Sequence, residues 1–142
     1  MIEMDAFVGT WRLVSFEFRT MAGQVNYPYG KDAIGYVIYS QDGYVAFTVM
    51  SANRPQFASA DIAAGSSEEK AAAVDTYFSY CGTYKVRGDR VIHHLEVSLF
   101  PNWIGGDQER IFEFKGNRLI LRTPPLPWGG IEQTGMVTWE RV

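Results

Sequence analysis

Two residues of this chain could do chemistry together if they share a face, His93 and Arg110. Imidazole is the side chain whose charge changes nearest neutral pH, so a buried one beside a substrate can pass a proton. A guanidinium offers planar pairs of N–H groups that match a carboxylate or another anion. Strand register decides whether the two meet, and short turns set that register. Gly88-Asp89 and Gly116-Asn117 each read as two-residue hairpin turns. The first pairs Arg87 with Arg90, Val86 with Val91 and Tyr84 with His93. The second pairs Phe114 with Leu119, Phe112 with Leu121 and Arg110 with Thr123. If Leu99 pairs with Gln108, then Val97 meets Arg110, Leu95 meets Phe112 and His93 meets Phe114. All these pairings agree on one apolar face, running from Tyr84 and Val86 through Val91, His93, Leu95, Val97, Arg110, Phe112, Phe114, Leu119 and Leu121 to Thr123. Lys85, Arg87, Arg90, His94, Glu96, Glu113, Arg118 and Arg122 fall on the opposite, solvated face.

Each misfit on the apolar face has two readings. Arg110 either binds a ligand's anionic group or pairs internally, with Glu17 or Glu132 as partners, or reaches out to water. His93 is either an acid–base group or a neutral core residue holding one hydrogen bond, to a tyrosine. Metal ligation finds little support, because His94 points to the other face of the same strand.

The elements that must position these residues are almost all strands. Val8–Arg19, Ile34–Ser40, Tyr44–Met50, Thr83–Arg87, Arg90–Phe100, Gln108–Phe114, Arg118–Thr123 and Glu132–Arg141 are runs rich in β-formers. Gln41-Asp42-Gly43 closes a hairpin that puts Val37, Tyr39, Val45, Phe47 and Val49 on one interior face. Ser66 and Glu69 form a capping box, and Ala71, Val74 and Phe78 continue at helical spacing, with Tyr77 and Cys81 beside them. A helix is therefore predicted to about Tyr80, ended by Gly82, lying between two strands either as a lid or side cover or as a plug for a gap in the wall. Val25–Gly30, with its Pro and paired Tyr, reads as an exposed rim arm. Eight strands in sequential hairpins predict an all-β, up-and-down antiparallel barrel, a single domain over residues 1–142.

Gly9-Thr10-Trp11 and Trp139-Glu140-Arg141 sit on the first and last strands. A Trp at the base of a closed barrel plugs one end, and an Arg from the last strand can lie across its ring. The result is a cup with Trp11 as its floor. Trp103 and Trp128 occur at loop tips, and Phe100-Pro101-Asn102-Trp103-Ile104 is assigned to the mouth, at Arg110's end. The loop carrying Pro127-Trp128 is assigned to the opposite end, where it seals the base or forms a homodimer contact.

Composition narrows the partners. Lys and Arg number 13 against 16 Asp and Glu, giving a net charge of −3 with no basic run, which argues against nucleic acid and anionic membrane. Cys81 is alone, so neither a disulfide framework nor a zinc cluster is expected. Met1 to Ala6 shows no basic segment followed by an apolar one, and a cytoplasmic location is expected. Aromatic residues make up 15% of the chain, a high share; large rings in an all-β chain usually pack the core, and the excess can line a cavity.

Gly9-Thr10-Trp11 resembles the G-x-W signature of lipocalins and other calycins, and Arg141 resembles the late Arg that packs on that Trp. The stretches GTWRLVSFEFR, YPYGKDAIGYVIYSQDGYVAF, YCGTYKV, VIHHLEVSLFPNW and TPPLPWGG together resemble the small bacterial and fungal lipocalin-like domain family over almost the whole chain. That resemblance implies an eight-stranded calycin barrel with a small-molecule cavity, without a defined activity. It gives Gly9, Trp11 and Arg141 structural roles.

Two functions follow as expectations. One is a non-catalytic binder of a small, largely hydrophobic molecule carrying an acid or carbonyl group. Its pocket would comprise Tyr39, Phe47, Tyr84, His93, Leu95, Arg110, Phe112 and Leu121, with Trp103 at the mouth. The other is a cofactor-free isomerase, cyclase or hydratase with His93 as acid–base and Arg110 or a Tyr stabilising negative charge. No cofactor is expected in either case. A haem would rest on His93 or His94 alone, and Gly105-Gly106 and Gly129-Gly130 lack the strand–turn–helix setting of a nucleotide site.

Overall fold

Each tight turn in this chain reverses it, so successive strands pair antiparallel with their neighbours. The computed structural model describes residues 4–142, so the leader reading lies partly outside the described residues. Its strands are β1 (Gly9–Thr20), β2 (Val25–Asn26), β3 (Ile34–Tyr39), β4 (Tyr44–Met50), β5 (Tyr77–Arg87), β6 (Arg90–Ser98), β7 (Asp107–Lys115), β8 (Arg118–Arg122), β9 (Leu126–Trp128) and β10 (Ile131–Arg141), with one helix, α1 (Ser67–Asp75). The sheet runs β2-β1-β3-β4-β5-β6-β7-β8-β10-β9, and β1 also pairs with β10. The eight long strands therefore close into an antiparallel barrel. The short β2 and β9 are added outside its ring, on β1 and β10.

The hairpin registers follow the turns. Tyr39 opposes Val45, Val37 opposes Phe47, Tyr84 opposes His93 and Phe112 opposes Leu121. The β6–β7 register differs from the expected one: Gln108 sits opposite His93, not Leu99, and Arg110 opposes Val91, not Val97. The loop explains the slip. A short turn at Pro101–Trp103 folds back, and Leu95 exchanges backbone hydrogen bonds with Gly105 and Gly106, the places a longer β7 would have taken. The slip spans an even number of residues, so His93 and Arg110 still face inward. One residue pays no heed to that parity. An irregularity in the β5–β6 pairing leaves Glu96 unpaired, and Val97 turns outward with 62% of its surface exposed.

The helix is shorter than its sequence pattern indicates. It ends at Asp75, and Tyr77 already belongs to β5. From there burial alternates, with Phe78, Tyr80, Gly82 and Tyr84 inward. A two-residue period of aromatic β-formers overrides the helical spacing. Gly82 is not a helix terminator. It lies within β5 where the two strands approach so closely that a Cβ would run into the carbonyl oxygen of His94. The helix buries none of its side chains. Arg54 ties it down, donating from Nη2 to the Ala73 carbonyl at 2.9 Å and from Nε to Thr76 Oγ1 at 3.0 Å.

The barrel floor is aromatic. Phe7, with no exposed surface, touches Tyr39, Phe112 and Phe114 at ring distances of 5.0–5.2 Å, and its carbonyl accepts the Trp11 indole N–H at 2.9 Å. The Arg141 guanidinium lies 4.1 Å above the Trp11 ring centre and donates to the carbonyls of Ala6 and Val8, both at 2.8 Å. Gly9 makes room for it. Its φ is +132°, and a Cβ would stand 2.7 Å from Arg141 Nη1.

Candidate functional site

Above the floor, strand alternation turns large rings from every part of the wall into a common space. An inner chamber of about 50 Å³ is bounded by Phe16 and Phe18 of β1, Val37, Phe47, Phe78 and Tyr80, His93, Leu121 and Thr123, and Val137 and Trp139 of β10. It opens past Tyr29, Trp103, Arg110, Leu126 and Trp128 into an outer bowl of about 1200 Å³. The bowl is walled by the β6–β7 loop, the Pro124–Gly129 connection, Pro28 and the end of α1 at Val74 and Asp75. Trp103 and Trp128 thus stand at the same mouth, against the expected opposite ends. Two strands, β7 and β8, separate their loops, and two reversals bring the chain back to the end it left. Tyr29 also departs from expectation. It is 4% exposed, packed edge-on against Phe16 at 5.3 Å.

The sequence-derived pocket residues divide into two groups. Phe47, His93, Arg110, Leu121 and Trp103 line the chamber or its neck. Tyr39, Tyr84, Leu95 and Phe112 do not line it. Tyr84 donates its hydroxyl to the Ser40 carbonyl at 3.0 Å, and Phe112 packs on Phe7, both in the floor. Phe7 fills the depth that a cup floored by Trp11 alone would leave open. Phe16, Phe18, Phe78, Tyr80, Val137 and Trp139 also line the chamber and lie outside the sequence-derived set. An extra residue at Val14 in β1 is what aims Phe16 and Phe18 inward, and such a bulge leaves little trace in sequence.

His93 is 1% exposed and holds two phenols, Tyr39 on Nε2 and Tyr80 on Nδ1, each at 2.7 Å. Burial, reinforced by the Arg110 charge, pushes its pKa down to about 3. Burial also raises both phenols, Tyr39 well above the usual value. All three groups are therefore neutral near pH 7. His94 lies outside and meets Asp107 at 2.8 Å.

Arg110 is 8% exposed. Neither Glu17, which meets Arg19 at 3.7 Å, nor Glu132 pairs with it, and it forms no ion pair among the described residues. Its guanidinium donates to its neighbour's carbonyl, Glu109 O, at 2.9 Å and reaches Gln108 Oε1 at 3.5 Å. Most of its five N–H donors remain for whatever occupies the neck.

A closed antiparallel barrel with an aromatic floor at one end and an aromatic chamber opening at the other is the architecture of the calycins, proteins that enclose small molecules. The chain belongs to the lipocalin-like domain family, whose profile matches residues 8–142. It is similar to the 4'-hydroxy-3'-methoxypropiophenone carrier protein of Aspergillus oryzae, with 39% identity over 66% of this chain and 93% of that protein. Among solved structures it is similar in fold to a lipocalin-like protein from Bacteroides uniformis, with a TM-score of 0.50 and 12% identity, covering 96% of this chain and 98% of the other.

Proposed function

We propose that this protein carries a small, largely apolar aromatic molecule whose tip enters the inner chamber and whose body fills the neck and the adjoining bowl, with its outer polar group at Arg110. The observation that carries this reading is the Arg110 guanidinium at the neck of an aromatic chamber, on a residue only 8% exposed and without a carboxylate partner among the described residues. Each guanidinium nitrogen either has a partner or reaches the mouth, so an acceptor on a ligand there takes N–H groups that are already poised at the neck. The bowl's other charged residues are Asp75, Asp107 and Glu109, so a neutral ligand with acceptor oxygens suits the approach better than an acid.

The kinship with a fungal carrier of an aryl ketone supports the same class of ligand. Enclosing about 200 Å² of apolar ligand surface contributes roughly 5 kcal/mol before association costs, so polar contacts must supply the rest of a micromolar affinity. A catalytic role for His93 is less well supported. Both ring nitrogens are occupied by buried phenols, and the ring stays neutral far below the pH where an acid–base group would work.

Titration calorimetry with 4'-hydroxy-3'-methoxypropiophenone and with propylbenzene tests the proposal. Saturable one-to-one binding of both is expected, with Arg110→Met weakening the ketone by about 10- to 100-fold and leaving propylbenzene unchanged. Absence of saturable binding for both ligands would sink it.

A further inference from the structure

The polar groups left over inside the chamber are donors, and the reason is a proton count. A neutral imidazole carries one N–H, so His93 can donate to only one of its two phenols and must accept from the other. The phenol that accepts keeps its own O–H, which then needs an acceptor elsewhere. Tyr39 has no second partner among the described residues and does not border the chamber. It is 1% exposed and its ring lies against Phe7 and Tyr84. Tyr80 does border the chamber. The arrangement that strands no proton has Tyr39 donating to Nε2, Nδ1–H donating to Tyr80, and the Tyr80 O–H facing the chamber.

A second observation points the same way. Trp139 lines the same chamber at 1% exposure, and its indole N–H has no acceptor among the described residues. An indole can only donate. The rings of Tyr80 and Trp139 both pack on Phe47, at 4.9 and 5.8 Å. The Thr123 hydroxyl already accepts from the Gly135 amide at 2.7 Å, which leaves its proton as well.

We infer that the inner chamber selects a carbonyl oxygen, received by the hydroxyl of Tyr80 and the indole N–H of Trp139, and discriminates against a hydroxyl at the same place. This rests on the carrier reading and sharpens it, because it fixes which end of the ligand goes in first. A ketone oxygen accepts and brings no proton. An alcohol oxygen accepts as well but brings a proton of its own: given to Tyr80, it reverses the relay and leaves the Tyr39 O–H buried without an acceptor; otherwise it competes with the Gly135 amide for the Thr123 hydroxyl or goes unpaired. A leftover donor in a dry site costs more than the contact it replaces returns.

The test compares three probes of one shape: propiophenone, the benzylic alcohol made by reducing it, and propylbenzene. The ketone is expected to bind about tenfold or more tighter than the alcohol, by the hydrogen-bond difference of a buried site, and Tyr80→Phe should bring the two within about threefold. The infrared carbonyl stretch of bound propiophenone should fall in wild type and recover in Tyr80→Phe. Equal affinity of all three probes overturns the inference while the carrier reading stands; failure of all three to bind overturns the inference, and the carrier reading falls with it when 4'-hydroxy-3'-methoxypropiophenone also fails to bind. Heteronuclear NMR of His93 in the ligand-free protein tests the relay without any variant: Nδ1 protonated and Nε2 bare is expected, and the opposite tautomer overturns it.

Discussion

At the scale of single residues, the account turns on side chains whose burial changes their chemistry. His93 was legible as an inward misfit because two tight hairpins fix its parity, and the tyrosine partner expected of a core histidine is there. The second tyrosine was not legible, since Tyr80 read as the tail of a helix. Arg110 was legible for the same reason as His93, and its lack of a carboxylate was not, because pairing depends on which loops close over the mouth. Burial of His93 as a neutral ring has a consequence for stability. Its folded pKa of about 3 lies below the unfolded value, so on acidification the unfolded chain takes up the proton first. The ring therefore contributes no pH dependence above about 6.5, and stability falls from there toward pH 3 by up to about 1.4 kcal/mol per pH unit. Urea unfolding across that window should show the loss, and His93→Gln should flatten the slope. An unchanged slope in the variant would mean that carboxylates alone drive acid unfolding.

At the scale of elements, strand pairing was easier to read than the points where it breaks. The two-residue turns at Gly88-Asp89 and Gly116-Asn117 set the β5–β6 and β7–β8 registers directly. The bulges at Val14 and Glu96 are not legible, because one extra residue changes facing without changing composition. Helix α1 shows a correct start and a wrong end. Its capping box forms as the Ser66 and Glu69 pattern requires, with reciprocal bonds of 3.1 and 2.9 Å. The helical spacing of Val74 and Phe78 was coincidence, since Val74 is 54% exposed and Phe78 sits in a strand. A helix that buries nothing should be separable from the barrel. Ser66→Ala is expected to cost about 1 kcal/mol of local helix stability, seen as faster amide exchange over 70–75, and to leave the global melting midpoint unchanged. A clear drop in the midpoint would show that α1 is integral to the core.

At the scale of the whole molecule, closure of β1 on β10 creates both the floor and the chamber. Trp11 and Arg141 mark the closure of the barrel in the sequence, yet they lie at the end opposite the mouth. The chamber lies between that floor and a mouth framed by Trp103 and Trp128, and each of the eight barrel strands contributes to its lining. Such a composite surface is spread too thinly along the chain to be seen in any one motif.

The four indole N–H signals offer a direct test of where a ligand goes. Trp11 donates to the Phe7 carbonyl in the floor, whereas Trp139 lines the inner chamber and Trp103 and Trp128 stand at its neck. Titrating the labelled protein with 4'-hydroxy-3'-methoxypropiophenone to saturation should shift the Trp139 indole resonance strongly, move Trp103 and Trp128, and leave Trp11 in place. A saturating ligand that leaves Trp139 unmoved would contradict the account, because the molecule would then sit in the outer bowl or outside the barrel.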